Sequence, residues 1–196
     1  MPRAKQRTPE LRDRVVAVAV ELLEGEGVAG FTTRTVAARA ETSPPAVYEF
    51  FGDKAGLLRE VFFEGFRMLR REFDSLTETD DPRADLIALA QCYRGFVRSH
   101  PTLAALMFER PFSDFDPGLP EMRAGSSVRA FIVGRVRRCL DAGIIAGDPT
   151  DVSLALLALI QGLAGSENAR RLGTTAAAVD RRWNLAINAL LNGLAG

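Results

Sequence analysis

Apolar residues recur along this chain at spacings of three and four, the signature of helices that each bury one face. Between Pro9 and Glu24 these positions are Leu11, Val15, Val18, Ala19, Leu22 and Leu23. Thr8-Pro9 places a capping side chain before a proline at the first helical position, and Gly25 and Gly27 mark the end. The punctuation then repeats. Asp81-Pro82 and Asp148-Pro149 open helices, His100-Pro101 ends one and begins another, and Gly143 and Gly173 read as stops. No stretch alternates with period two over β-branched residues, so no strand is expected. The predicted helices span 9–25, 33–40, 44–51, 53–77, 82–99, 101–109, 121–142, 149–171 and 175–193, with residues 110–120 as the internal loop. The fold class is all-α, with about nine helices.

Residues 31–58 carry the densest local signals. Thr32 stands at an N-cap, Phe31 and Val36 suit a hydrophobic staple, and Val36, Ala37 and Ala40 form one small apolar face. Ser43 caps the next helix, whose first turn is Pro44-Pro45. Val47, Phe50 and Phe51 fall on its inner side, leaving Pro44, Pro45, Ala46, Tyr48 and Glu49 outside. Gly52-Asp53 then ends that helix and caps a third, with Lys54 in its first turn. Helices this short are marginal alone, since isolated helices need about 12–15 residues in water. They require the helix from Pro9 to pack on. Residues 1–52 therefore form a three-helix domain with the layout of a helix-turn-helix, and residues 53–196 form a second, helical domain. In that layout the second helix of the pair enters the DNA major groove. A three-helix packing unit with no DNA role has the same pattern.

Near the C-terminus, Ala155, Ala158, Gly162, Gly165 and Ala169 make a stripe of small residues, while Val152, Leu156, Leu159 and Leu163 make a second apolar face. Two apolar faces imply burial on two sides. The last helix adds Val179, Trp183, Ile187, Leu190 and Leu194. These are the parts of a four-helix bundle between two copies, with Trp183, Ile187 and Leu190 joining the stripe at the interface. A core helix of a monomer is the alternative.

Charge changes the picture more than composition does. Lys+Arg and Asp+Glu both number 25, and the first sixty residues are also balanced, so attraction to nucleic acid has to be local. Arg3, Lys5 and Arg7 precede the first acidic residue, Glu10, and Arg12 and Arg14 follow. Such an arm holds phosphate even in a neutral domain, or is simply a solvated terminus. Cys92 and Cys139 lack metal-ligand spacing and read as buried thiols in a reducing cytoplasm. The first dozen residues are polar and basic, and the apolar run 152–165 is too short to cross a membrane, so a cytoplasmic location is expected. His100, the single histidine, sits at a helix boundary. No nucleophile, phosphate loop or metal set can be built around it, so neither enzymatic activity nor a cofactor or metal is expected.

The string Phe31 to Leu58 closely resembles the DNA-binding segment of the tetracycline-repressor (TetR) family of transcriptional regulators. Tyr48, Phe51, Lys54 and the Leu57-Leu58 pair stand where the family motif has them, and the match runs from Thr8 to about Phe66. The resemblance implies that Thr33, Tyr48 and Lys54 hold phosphates. Arg34 is then the best candidate for a guanine, with a phosphate as its alternative. Ser43, Pro44, Pro45, Ala46 and Glu49 complete the DNA face, the apolar ones suited to thymine methyls and Glu49 to a cytosine. Glu41 departs from the pattern, because glycine often occupies that turn. Tyr93 to Pro111 resembles a ligand-domain subgroup of the family, although Leu157 and Gln161-Gly162 replace the Trp and His-Gly often found there.

The implied protein is a homodimeric repressor on a near-palindromic double-stranded operator, released by a small apolar effector. Its pocket is expected among Phe66, Cys92, Phe96, Met107, Phe108, Phe131 and Gln161. A ligand-independent or activating regulator, and an all-α dimeric scaffold that binds no DNA, remain open.

Overall fold

The computed structural model describes residues 8–109 and 118–195. Among them are ten helices and no strand: α1 (Pro9–Gly30), α2 (Thr33–Arg39), α3 (Pro44–Phe51), α4 (Lys54–Asp74), α5 (Pro82–Ser99), α6 (Pro101–Phe108), α7 (Leu119–Ala124), α8 (Ser126–Asp141), α9 (Pro149–Asn168) and α10 (Ala176–Gly193). The helix expected over 121–142 is two pieces, with Gly125, a poor helix former, between them. The basic arm Arg3, Lys5 and Arg7, and residues 110–117 of the expected loop, lie outside the described residues.

The helices pack as two compact units that divide inside α4, not at residue 52. One comprises the chain to Met68 with His100–Ala124, the other Leu69–Ser99 with Gly125–Gly196. A single carboxylate helps to explain why α6 joins the N-terminal helices. Glu24 of α1 accepts the Thr102 and Leu103 amides at 3.2 and 2.6 Å. It thereby satisfies two of the amides that the N-terminus of α6 would otherwise leave without partners.

In the first unit, the Thr8 side chain caps α1, and Leu11, Val15, Val16, Ala19, Val20, Leu22 and Leu23 line its buried face. Gly27, at φ 67°, breaks α1 where the glycine pair predicts an end. Thr32 and Thr35 cap α2 reciprocally, each side chain bonding the other's amide at 3.1 Å. The turn into α3 closes with the Glu41 amide on the Ala38 carbonyl and the Thr42 amide on the Ala37 carbonyl. This is a Schellman ending, and it puts Glu41 in the left-handed region at φ 52°. Asp53 caps α4 through the Gly56 amide at 2.7 Å. A side chain at Gly56 has no room, since its Cβ would lie 1.8 Å from the Phe51 carbonyl oxygen.

The second unit is organised around two buried charge networks. Asp85 accepts from the Thr79 amide and hydroxyl and from Arg138, with Arg135 at 3.4 Å. Burial alone pushes the Asp85 pKa up, but the Thr79 hydrogen bonds and the Arg138 charge outweigh it and hold it below its ordinary value. The buried Arg94 binds Glu167 through two nitrogens at 2.7 and 3.0 Å and Asp180 at 2.8 Å. Its guanidinium lies 5.2 Å from the Trp183 ring centroid, and the Trp183 indole N–H donates to Glu167 at 2.7 Å. Helix α9 also ends in a Schellman turn, with Arg170 left-handed at φ 56°, which moves its stop upstream of the expected Gly173.

Two predictions follow from this chemistry. A left-handed non-glycine residue costs about 1–2 kcal/mol, partly offset by the extra freedom glycine gives the unfolded chain. Arg170→Gly is therefore expected to raise the urea unfolding midpoint, by about 0.5–1 kcal/mol in stability. Asp85→Ala should cost about 3 kcal/mol at pH 7, because it leaves Arg135 buried beside an empty position. Since folding lowers the Asp85 pKa, its contribution is complete above the ordinary value of 3.8 and is lost as pH falls through the folded value. The gap in unfolding free energy between wild type and Asp85→Asn should thus stay constant from pH 7 to about pH 5 and narrow as the pH falls through the ordinary value of 3.8.

Candidate nucleic-acid interface

Helices α2 and α3 together present one polar edge. Thr33 follows its cap at the start of α2, and its hydroxyl lies 3.0 Å from the hydroxyl of Tyr48 in α3. Tyr48 is 47% exposed, so this bond fixes the tip of a solvent-facing ring. A fixed ring has less rotamer freedom to lose on binding. Arg34 is exposed beside Thr33 on α2, and Pro45 and Glu49 are exposed on α3. Pro44 and Ala46 are half-buried, while Val47 and Phe51 point into the core as expected. The Ser43 hydroxyl is 3.4 Å from the Ala46 amide, so its first role is to cap α3.

Lys54 is the first residue of α4 and is half-buried. The start of a helix offers free amides that reinforce a lysine toward an anion, and two of the α4 amides are taken within the chain. Asp53 takes the Gly56 amide with its carboxylate and the Leu57 amide with its carbonyl. Among the nearby cations, Arg39 pairs with Glu26 at 3.0 Å, and Arg12 pairs with Glu60 at 2.7 Å while covering the Phe51 ring.

The seven expected pocket residues are split between the units. In the first, Phe66 meets Phe108 edge-on at 5.8 Å and Phe62 at 5.1 Å, and the buried Met107 packs against Gly65. In the second, Phe131 stacks on Phe73 at 5.5 Å, Phe96 is buried, and Gln161 and Cys92 are half-buried. Burial first and Glu72 second push the Cys92 thiol up to about 11, so it carries no thiolate at neutral pH. The second unit has a hollow of about 550 Å³ along α10, and the first a polar groove of about 420 Å³ between α1 and α4. Neither is lined by any of the seven.

The small-residue stripe is open. Ala155, Ala158, Gly162 and Ala169 are exposed, Gly165 is half-buried, and nothing lies within 4 Å of a Cβ built on either glycine. Two residues assigned to the same interface are not available to it. Trp183 and Ile187 are 0% and 1% exposed in their own protomer, because α10 turns Val179, Trp183, Ile187 and Leu191 inward, and Leu190 is half-buried. The outward apolar residue of α10 is Leu185, 71% exposed between Arg181, Asn184 and Asn188. Leu185 stands two residues after Trp183, so it falls on the other side of α10 from the apolar spacing that marks the inner face. The Thr33–Tyr48 bond is not legible in the sequence, since it joins residues fifteen positions apart across a turn.

Two family models match the chain. Residues 15–61 match the bacterial regulatory proteins of the tetR family, and residues 86–190 match the tetracyclin repressor-like C-terminal domain. The HTH-type transcriptional regulator Rv1816 of Mycobacterium tuberculosis is 28% identical over 146 residues, which cover 71% of this chain and 61% of that protein. The class C tetracycline repressor protein of Escherichia coli is 28% identical over 145 residues, 74% of this chain and 60% of that one. The chain thus spans about three fifths of the length of these curated relatives. A solved structure of a protein of unknown function from Rhodococcus sp. RHA1 superimposes over the whole of both chains, with a TM-score of 0.82 and 28% identity. With one model on the helix-turn-helix and the other on more than half of the sequence, this chain belongs to the tetR family of bacterial regulatory proteins.

Proposed function

We propose that this protein is a sequence-specific, DNA-binding transcriptional regulator of the bacterial cytoplasm, acting as a homodimeric repressor that a small apolar effector releases from its operator. The observation that carries the reading is the exposed edge of α2 and α3. The bonded Thr33–Tyr48 pair, Arg34 and the ammonium of Lys54 all belong to a segment that matches the tetR-family model. Tyr48 and Thr33 supply hydroxyls for phosphate oxygens, and Lys54 supplies charge. Contacts of this kind fix register without reading sequence. Arg34, exposed on α2, supplies a long cationic donor suited to the O6 and N7 of a guanine.

The same reading includes a homodimer. Ala155, Ala158, Gly162 and Ala169 of α9 and Leu185 of α10 are exposed, and small and apolar side chains left outside a protomer support an interface between two copies. Two copies joined there would carry two recognition helices to half-sites about 34–36 Å apart, one turn of DNA. An effector acts on such a dimer only by binding one arrangement more tightly than the other.

The test uses purified protein and a duplex selected from a randomised pool. Lys54→Ala should weaken binding evenly across sequences and reduce the slope of log affinity against log salt by about one. Tyr48→Phe, which removes only the hydroxyl, should weaken it by about 3- to 10-fold. A folded wild-type protein that selects no sequence, or whose affinity ignores salt, contradicts the reading. For the dimer, Leu185→Glu should shift the sedimentation coefficient from two copies toward one at micromolar protein, and an unchanged dimer would show that α10 lies outside the interface.

A further inference from the structure

The outer side of α10 has its own chemistry, separate from the inward stripe of Trp183 and Ile187. Ala178, Arg181, Leu185 and Asn188 stand three and four positions apart, which places them on one face of the helix. With Arg182 and Asn184 they line a hollow of about 550 Å³, a size that suits a small molecule. Ala178 and the 71% exposed Leu185 are its apolar part. Its hydrogen-bonding groups are one-sided. The Asn184 side-chain oxygen accepts from Gln91 at 3.5 Å, and the Asn188 side-chain oxygen accepts from Arg83 at 2.9 Å. The Asn188 side-chain nitrogen donates to the Asn184 carbonyl at 2.8 Å, and Arg182 donates to the Leu172 carbonyl at 2.6 Å. The groups left over are donors. The Asn184 side-chain nitrogen and the Arg181 guanidinium have no partner among the described residues. No carboxylate lines the hollow, and Asp180, the acidic residue beside Arg181 in sequence, is bonded to Arg94 at 2.8 Å.

We propose that this hollow is a binding site for a small organic carboxylate with an apolar body, Arg181 taking the carboxylate and Leu185 with Ala178 taking the hydrocarbon. A planar guanidinium meets a carboxylate through two parallel N–H···O bonds, which a neutral donor does not match. A cationic ligand would face two arginines and no free acceptor. A neutral alcohol of the same length gains the apolar contact alone. A bare inorganic anion gains charge alone, and exposed ion pairs are worth little in water. Selection therefore comes from the two halves together. The site lies apart from the seven residues expected to hold an effector, none of which lines it. Leu185 also belongs to the face proposed above for the second copy. The carboxylate and the second copy thus exclude one another over Leu185, and the ligand draws a dimer toward single copies by mass action. That consequence rests on the homodimer reading, whereas the site itself does not.

The experiment titrates the purified full-length protein with octanoate by calorimetry at constant salt, beside octanol and octyltrimethylammonium. Octanoate should bind about tenfold more tightly than either. Its affinity should rise about two- to fourfold for each CH₂ added from butanoate upward. Arg181→Met, which keeps an unbranched apolar stem and removes the charge, should lower octanoate affinity to that of octanol. Sedimentation with increasing octanoate should move the wild type from two copies toward one. Equal binding of octanoate and octanol, or equal octanoate affinity in wild type and Arg181→Met, overturns the proposal. No octanoate binding at all also overturns it, and leaves the hollow to the second copy. Octanoate binding that needs Arg181 but leaves sedimentation unchanged supports the site and removes α10 from the dimer interface. Because the comparison among the probes uses only the wild-type protein, the outcome does not depend on whether the variant folds.

Discussion

The constraint on which the N-terminal unit depends is that α2 and α3, of seven and eight residues, cannot be helices unless something else buries their apolar sides. Phe31, Val36, Ala37, Ala40, Val47 and Phe51 meet that need, and all are buried together with the inner face of α1. Once those six are committed inward, helical geometry dictates what remains outside. Thr33 and Arg34 are left on α2, and Pro45, Tyr48 and Glu49 on α3. The exposed edge is thus the complement of the core. The same dependence explains the tight junctions on either side. The Thr32–Thr35 capping box, the left-handed Glu41 and the close approach of Phe51 to Gly56 are what allow three short segments to pack without spare chain.

The second unit solves a different problem, that of holding long helices in one register. Hydrophobic faces alone tolerate slippage, whereas a buried guanidinium with three specified acceptor oxygens does not. Arg94 joins α5 to the end of α9 and to α10 through Glu167 and Asp180, and Trp183 uses its indole N–H to share Glu167. Asp85 ties α5 to α8 in the same manner. These bonds fix which side of α10 faces inward, and so leave Leu185 and the α9 stripe outside. Charge burial and the exposure of Leu185 and the α9 stripe are therefore two results of one arrangement.

What could be read from the sequence was local. Thr8-Pro9, Thr32, Ser43-Pro44 and Asp148-Pro149 all cap the helices they were expected to cap, because a cap and its amides lie within three residues of each other. The residues proposed to hold phosphate lie in a motif in which spacing and residue type are both informative. Features set by distant partners were not legible. Glu24 meets α6 across 78 residues, and the inward turn of Trp183 depends on Arg94, almost ninety residues earlier. The end of α9 was misplaced for a related reason. Arginine gives no sign that it will adopt the left-handed conformation, so Gly173 looked like the stop that Arg170 provides.

The account's central claim is that the exposed edge of α2 and α3 reads DNA, and it is met most directly by selecting genomic fragments with the purified protein at fixed salt and footprinting those recovered. The account predicts one or a few near-palindromic sites, each protected over two half-sites one helical turn apart, with protection requiring more protein when Lys54 is replaced by alanine. A folded protein that recovers nothing above background would contradict it.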